Sequence, residues 1–188
     1  MNLEFKHIAP YLPYKLKWVL QEVSEFTMSG ITKETLYTED GGVFHWLKVK
    51  DWPQVLFPIL RPMSDLIKEI EVNGKKFVPL LELRSIEQGY WDDDVFIQDH
   101  TQIIDYGCGE GDYPCYWVEW ADGLSQKQSF SFKHNDFNRF WIINKNKLNG
   151  IEPCIIKNQR LLFEKLYELH FDVFGLINAG LAKDINKL

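Results

Sequence analysis

Ile103-Ile104-Asp105-Tyr106-Gly107-Cys108-Gly109-Glu110-Gly111-Asp112, or IIDYGCGEGD, is the stretch whose reading decides the fold. Two β-branched residues lead the chain into Gly-x-Gly-x-Gly, and such a run has two incompatible readings. In a parallel α/β fold the missing side chains let the backbone approach a nucleotide-like cofactor, and a helix must follow at once. In an antiparallel fold the glycines turn one strand into the next. The residues that follow choose between them. Residues 112–123 read Asp-Tyr-Pro-Cys-Tyr-Trp-Val-Glu-Trp-Ala-Asp-Gly, aromatic, alternating and closed by a turn signal. That pattern is a strand, not a helix. Only 77 residues remain after Gly111, too few for the rest of a doubly wound sheet. The stretch reads as a glycine-rich turn between two strands.

Outward from it, Tyr113–Trp120 and Lys127–Lys133 flank Ala121-Asp122-Gly123-Leu124, a hairpin pattern. Phe137–Ile143 reads as a further strand, and Asn149-Gly150 as a turn. Nearer the N-terminus, Pro10 and Pro13 keep residues 10–14 extended. Lys15–Thr27, Thr35–Thr38 and Val43–Val49 read as strands, with a turn at Asp40-Gly41-Gly42. Two helices are expected. A short one runs over 64–72, with Ser64 at its start and Asn73-Gly74 ending it. A long one runs from Asn158 to about Asn178, where Leu162, Leu166, Leu169, Val173 and Leu176-Ile177 make an apolar stripe. The fold class is therefore α+β: an antiparallel sheet packed against a long C-terminal helix and one short helix. The 188 residues suit a single domain, with residues 85–150 as an acidic, hairpin-containing elaboration.

Charge is the most informative global property. Residues 77–126 hold eleven acids and one base, Arg84, a balance of −10 in a chain of net charge −6. Like charges repel, which disfavours nucleic acid as the partner of this segment and permits a cation or a basic protein surface instead. Aromatic residues make up 15% of the chain, enough to supply a binding face as well as a core. No apolar run approaches a membrane span, and the first residues lack a signal-peptide pattern. With three cysteines, an odd number, the expectation is free thiols in a bacterial cytoplasm.

Candidate chemistry is sparse. The Gly107–Gly111 loop is similar to the cofactor loop of S-adenosylmethionine-dependent methyltransferases, with Asp105 where that motif has its acid; the aromatic strand that follows departs from the pattern. Asp92-Asp93-Asp94, Asp99 and His100 offer cation ligands without calcium-loop spacing. Cys108, Cys115, Cys154 and His134 lack zinc-knuckle spacing. Nothing resembles a nucleophile elbow, and His170 reads as a satisfied, partly buried histidine. Lys145-Asn146-Lys147 and Lys15-x-Lys17 are too small for a nucleic-acid stripe. No catalytic, cofactor-binding or metal-binding residue is therefore assigned. The candidate site is a partner-binding surface of Glu87, Tyr90, Trp91, Asp92, Asp93, Asp94, Asp99, Asp105, Glu110 and Asp112.

Three segments, APYLPYKLK (9–17), ILRPMSDLIKEIEVNGKKFVPLLEL (59–83) and LLFEKLYELHFDVFGLINAGLAKDIN (161–186), carry a resemblance that covers 60 of 188 residues. They resemble a family of small proteins encoded by phages and prophages of gut bacteria. The resemblance implies an accessory gene expressed in a bacterial host and brings no catalytic residue or cofactor with it. The resulting expectation is a non-enzymatic binding module with an acidic, aromatic surface, in one version a DNA mimic directed at a host protein. The alternatives are a methyltransferase and a virion component.

Overall fold

A computed structural model describes residues 3–20, 24–32, 35–45, 56–88, 102–107, 114–122, 126–133, 139–146, 150–156 and 158–188. By its internal contacts the chain forms two compact units, Met1–Met63 with Leu166–Leu188, and Ser64–Lys165. The architecture is mixed α and β.

The first unit begins with a single helical turn, α1 (Phe5–Ile8), in which the Glu4 backbone N–H donates to Nδ1 of His7 at 3.1 Å. It runs on into a 3₁₀ helix, Ala9–Tyr14, that contains both prolines. The extended start expected from Pro10 and Pro13 is thus replaced by 3₁₀ backbone. A proline φ near −65° suits a 3₁₀ helix, and at its first turn no N–H is missed. Lys15 ends it in the left-handed region, φ 55°.

The strands expected from the N-terminal third join two that were not expected, β5 and β13, in one sheet with strand order β13-β5-β1-β2-β3-β4. These are β1 (Lys17–Leu20), β2 (Ser24–Ile31), β3 (Thr35–Thr38), β4 (Val43–His45), β5 (Leu56–Leu60) and β13 (Lys183–Asp184). The strand expected over Lys15–Thr27 is two: β1 and β2 double back on each other, with Lys17 opposite Thr27 and Trp18 opposite Phe26. Neighbouring strands are antiparallel except β13, which pairs with β5 in parallel. The core under this sheet joins Ile8, Tyr11, Leu16, Trp18, Met28, Leu36, Leu56, Leu60, Leu176, Leu181 and Ala182.

The long C-terminal helix is not formed. The helix here, α3, spans Gln159–Glu168. His170 then takes φ 59°, its N–H bonds the Tyr167 carbonyl at 3.0 Å, and the Phe171 N–H reaches the Leu166 carbonyl at 2.9 Å. This pair of bonds around a left-handed residue is a Schellman stop. Phe171 then bridges Arg61 in parallel. Past it, both oxygens of Asp172 accept backbone N–H groups, from Leu176 at 2.7 Å and Ile177 at 2.8 Å. Val173 and Leu176 are buried as their helical spacing suggested, but short turns bury them. Periodicity records which residues meet the core, and a tightly turned chain can produce it without a helix.

The second unit differs from expectation in the same way. The helix expected over 64–72 is one 3₁₀ turn, Met63–Ile67, followed by a hairpin of β6 (Ile70–Val72) and β7 (Lys75–Phe77). Asn73 and Gly74 have φ 53° and 78°, the two left-handed residues of a tight hairpin turn. The Asn-Gly pair read as a helix stop is this turn. A helix that the sequence reading did not assign, α2 (Pro79–Gln88), follows with proline at its first position and buries Leu80, Leu83 and Arg84.

Last comes a five-strand antiparallel meander in the order β12-β11-β10-β9-β8. Its strands are β8 (Gln102–Gly107), β9 (Pro114–Asp122), β10 (Gln126–Lys133), β11 (Arg139–Asn146) and β12 (Gly150–Ile155). The hairpin expected around Asp122-Gly123 is β9–β10, and the strand expected from Phe137 is β11.

Candidate functional site

Two of the acidic residues that the sequence singles out lie on described elements, one of them in β8, the edge strand of the meander. Asp105 lies within β8, paired with Tyr116 of β9. Glu87 lies in the last turn of α2. Tyr90, Trp91, Asp92, Asp93, Asp94, Asp99, Glu110 and Asp112 lie outside the described residues. In the chain, Asp99 precedes β8 by three residues and Glu110 follows it by three.

Registers across the meander divide its charges by face. Alternate residues of a strand belong to opposite faces, so cross-strand partners share one. Asp105, Tyr116, Phe132 and Phe140 form one row. Ile103, Val118, Phe130, Ile142 and Cys154 form the next row on the same face. Asp122 and Glu152 share that face, and no lysine or arginine of the five strands does. By register this face carries three carboxylate positions, Asp105, Asp122 and Glu152, among mostly apolar and aromatic ones. Asp122 and Glu152 were not among the expected site residues. Alternation within β9 and β12 is the signal that places them, and it became readable once the registers were known.

Arg84, the lone base of the acidic stretch, is buried in α2 at 2% exposure, and burial lowers its guanidinium pKa to about 10. Its charge is thus withdrawn from the surface, leaving the stretch still more one-sided. Glu82, half-buried on α2, lies 3.5 Å from Lys75 of β7, an exposed contact that adds little stability.

Other candidate chemistry is placed as follows. The residues Cys108, His134, Asp92-Asp93-Asp94, Asp99 and His100 lie outside the described residues. Cys115 pairs with Lys133 and Cys154 with Ile142, register positions that belong to opposite faces of the sheet. Among the described residues no group of three or more His, Cys, Asp or Glu is arranged to hold a metal, and no helix is long and apolar enough to cross a membrane. His170 is tied to the first unit's frame, its Nε2 2.7 Å from the Tyr14 carbonyl. That carbonyl can only accept, so Nε2 carries the hydrogen. Burial holds the ring's pKa below the usual histidine value, with Arg61 and Lys17 adding to the effect.

The Gly107 end of β8 pairs with Pro114 of β9, so the chain that leaves the Gly107–Gly111 loop returns antiparallel to the strand that entered it. Compared with family models, curated proteins and solved structures, the chain gives no match.

Proposed function

We propose that this protein is a non-enzymatic accessory module of a phage or prophage that engages a basic protein surface, in the manner of a DNA mimic. The observation that carries the reading is the face of the meander on which the register places Asp105, Asp122 and Glu152 with no lysine or arginine of the five strands. Carboxylate positions beside aromatic ones offer two properties of a nucleic-acid surface, negative charge and flat apolar area. Burial of Arg84 supports the reading, since it removes the only positive charge of residues 77–126 from competition. The antiparallel return from β8 to β9 also supports it over a methyltransferase, whose cofactor loop leads into a helix.

The experiment is affinity capture from a bacterial host lysate at low salt, repeated with competing duplex DNA and with a variant carrying Asp92→Asn, Asp93→Asn, Asp94→Asn and Asp105→Asn. A captured basic protein should be displaced by the duplex, be lost in the variant, and dissociate near 1 M salt, where the Debye length is about 3 Å. Capture that persists undiminished at that salt sinks the mimic. For the enzyme reading, S-adenosylmethionine at 100 times its dissociation constant would add about 2.7 kcal/mol of stability; an unmoved thermal midpoint at saturating cofactor removes it.

A further inference from the structure

We propose that the opposite face of the meander binds single-stranded nucleic acid. The registers of β10 and β11 bring four cations onto this face as two directly opposed pairs, Lys127 with Lys145 and Lys133 with Arg139. The cluster of Lys145 and its chain neighbour Lys147 alone is too small for a nucleic-acid stripe. Pairing with β10 is what enlarges it. Among the described strands one carboxylate position, Glu119, shares the face. Like charges held opposite each other on adjacent strands repel, and an anionic ligand laid across them would relieve that repulsion.

Between the two cationic pairs runs the row Ile104, Trp117, Ser131, Trp141, Ile155. Trp117 and Trp141 flank Ser131 from the strands on either side, with backbones about 10 Å apart. Along β10, Lys127 and Lys133 are six residues apart, roughly 20 Å. Cations at both ends with aromatic positions between them match a strand whose phosphates are held electrostatically while its bases stack on rings. A duplex keeps its bases stacked inside, and a neutral carbohydrate has no use for the cations. Asp105, Asp122 and Glu152 do not oppose this, because they belong to the other face. The inference rests on the strand registers and is independent of the DNA-mimic reading.

The test is fluorescence anisotropy of the full-length protein with a labelled oligothymidylate of about 12 nucleotides, within the usual site size of such faces. Wild type should bind at low salt, with tryptophan quenching, and weaken as salt rises. The double variant Lys127→Gln/Lys145→Gln relieves an opposed like-charge pair and so should fold at least as well. It should flatten the salt slope by about 1.4, or about 0.7 per lost phosphate contact. Trp141→Phe should weaken binding without changing that slope, and Trp141→Ala should do so by on the order of tenfold. The proposal fails if the oligonucleotide does not bind at low salt, or if Lys127→Gln/Lys145→Gln binds it with unchanged slope. It also fails if duplex DNA competes as well as the single strand, or if the tryptophans are quenched by a neutral oligosaccharide and not by the oligonucleotide.

Discussion

The Tyr11 hydroxyl donates a 2.6 Å hydrogen bond to the carbonyl of Phe171, 160 residues away, inside the core of the first unit. Around it, the Tyr11 ring meets Tyr167 edge-on at 5.1 Å and Phe174 at 6.5 Å, and His170 reaches back to the Tyr14 carbonyl. The N-terminal 3₁₀ helix and the turns that follow α3 are held together by this small polar and aromatic clasp. Residues 9–17 and 166–186 meet at it. They build a scaffold, and the charged faces of the meander are elsewhere in the chain.

Tyr11→Phe should cost about 1 kcal/mol in denaturant unfolding. The loss is modest because the Phe171 carbonyl keeps a second donor, the Val173 N–H at 2.9 Å. Burial, with Asp172 nearby, raises the Tyr11 pKa well above the usual tyrosine value. A proton that is harder to lose in the folded state stabilises it below the unfolded tyrosine pKa, near 10, and that stability is lost as pH rises further. Wild type should therefore weaken steeply above about pH 10, and Tyr11→Phe should weaken less steeply.

His170→Asn tests the histidine stop. Asparagine tolerates the left-handed backbone, so α3 should still end at Glu168. Folding lowers the imidazole pKa, so below the unfolded value of 6.5 the unfolded chain binds the extra proton first. The contribution is complete above that value and is lost as pH falls toward 5. His7, also lowered by burial, works in the same sense. Stability curves of wild type and His170→Asn, measured between about pH 7.5 and 5, should differ in slope, with the variant flatter.

Asp172→Ala removes the acceptor for two backbone N–H groups in a residue only 4% exposed. The expected loss is about 2–4 kcal/mol, with amide exchange at Leu176 and Ile177 rising more than exchange in β1. Asp172→Asn keeps one acceptor oxygen and should lose less.

Gly74→Ala should destabilise by about 1–2 kcal/mol, through the left-handed backbone alone, since a Cβ there meets no atom within 4 Å. Asn73→Gly should be tolerated. If residues 64–74 were helical instead, both effects would reverse in sign, because alanine favours a helix and glycine disfavours it.

Local chemistry was legible where one residue type has few options. The aromatic alternation of 114–120 demands a strand and Asn73-Gly74 a left-handed turn, whereas Pro10 and Pro13, expected to keep the chain extended, sit in a 3₁₀ helix. What such a signal connects was less legible, and Asn-Gly closed a hairpin where a helix stop was expected. The apolar spacing from Leu162 to Ile177 showed correctly that Val173 and Leu176 are buried. It did not show that His170 would leave the helix, because that bond pattern depends on Tyr14 and Arg61, distant in the chain. The candidate surface divides in the same way. The acids around β8 are a property of the sequence itself, visible as a run of like charge. The separation of Asp105, Asp122 and Glu152 from Lys127, Lys133, Arg139 and Lys145 belongs to the tertiary structure. A shift of one residue in the pairing of any two strands would mix the faces, and only the assembled sheet fixes that register.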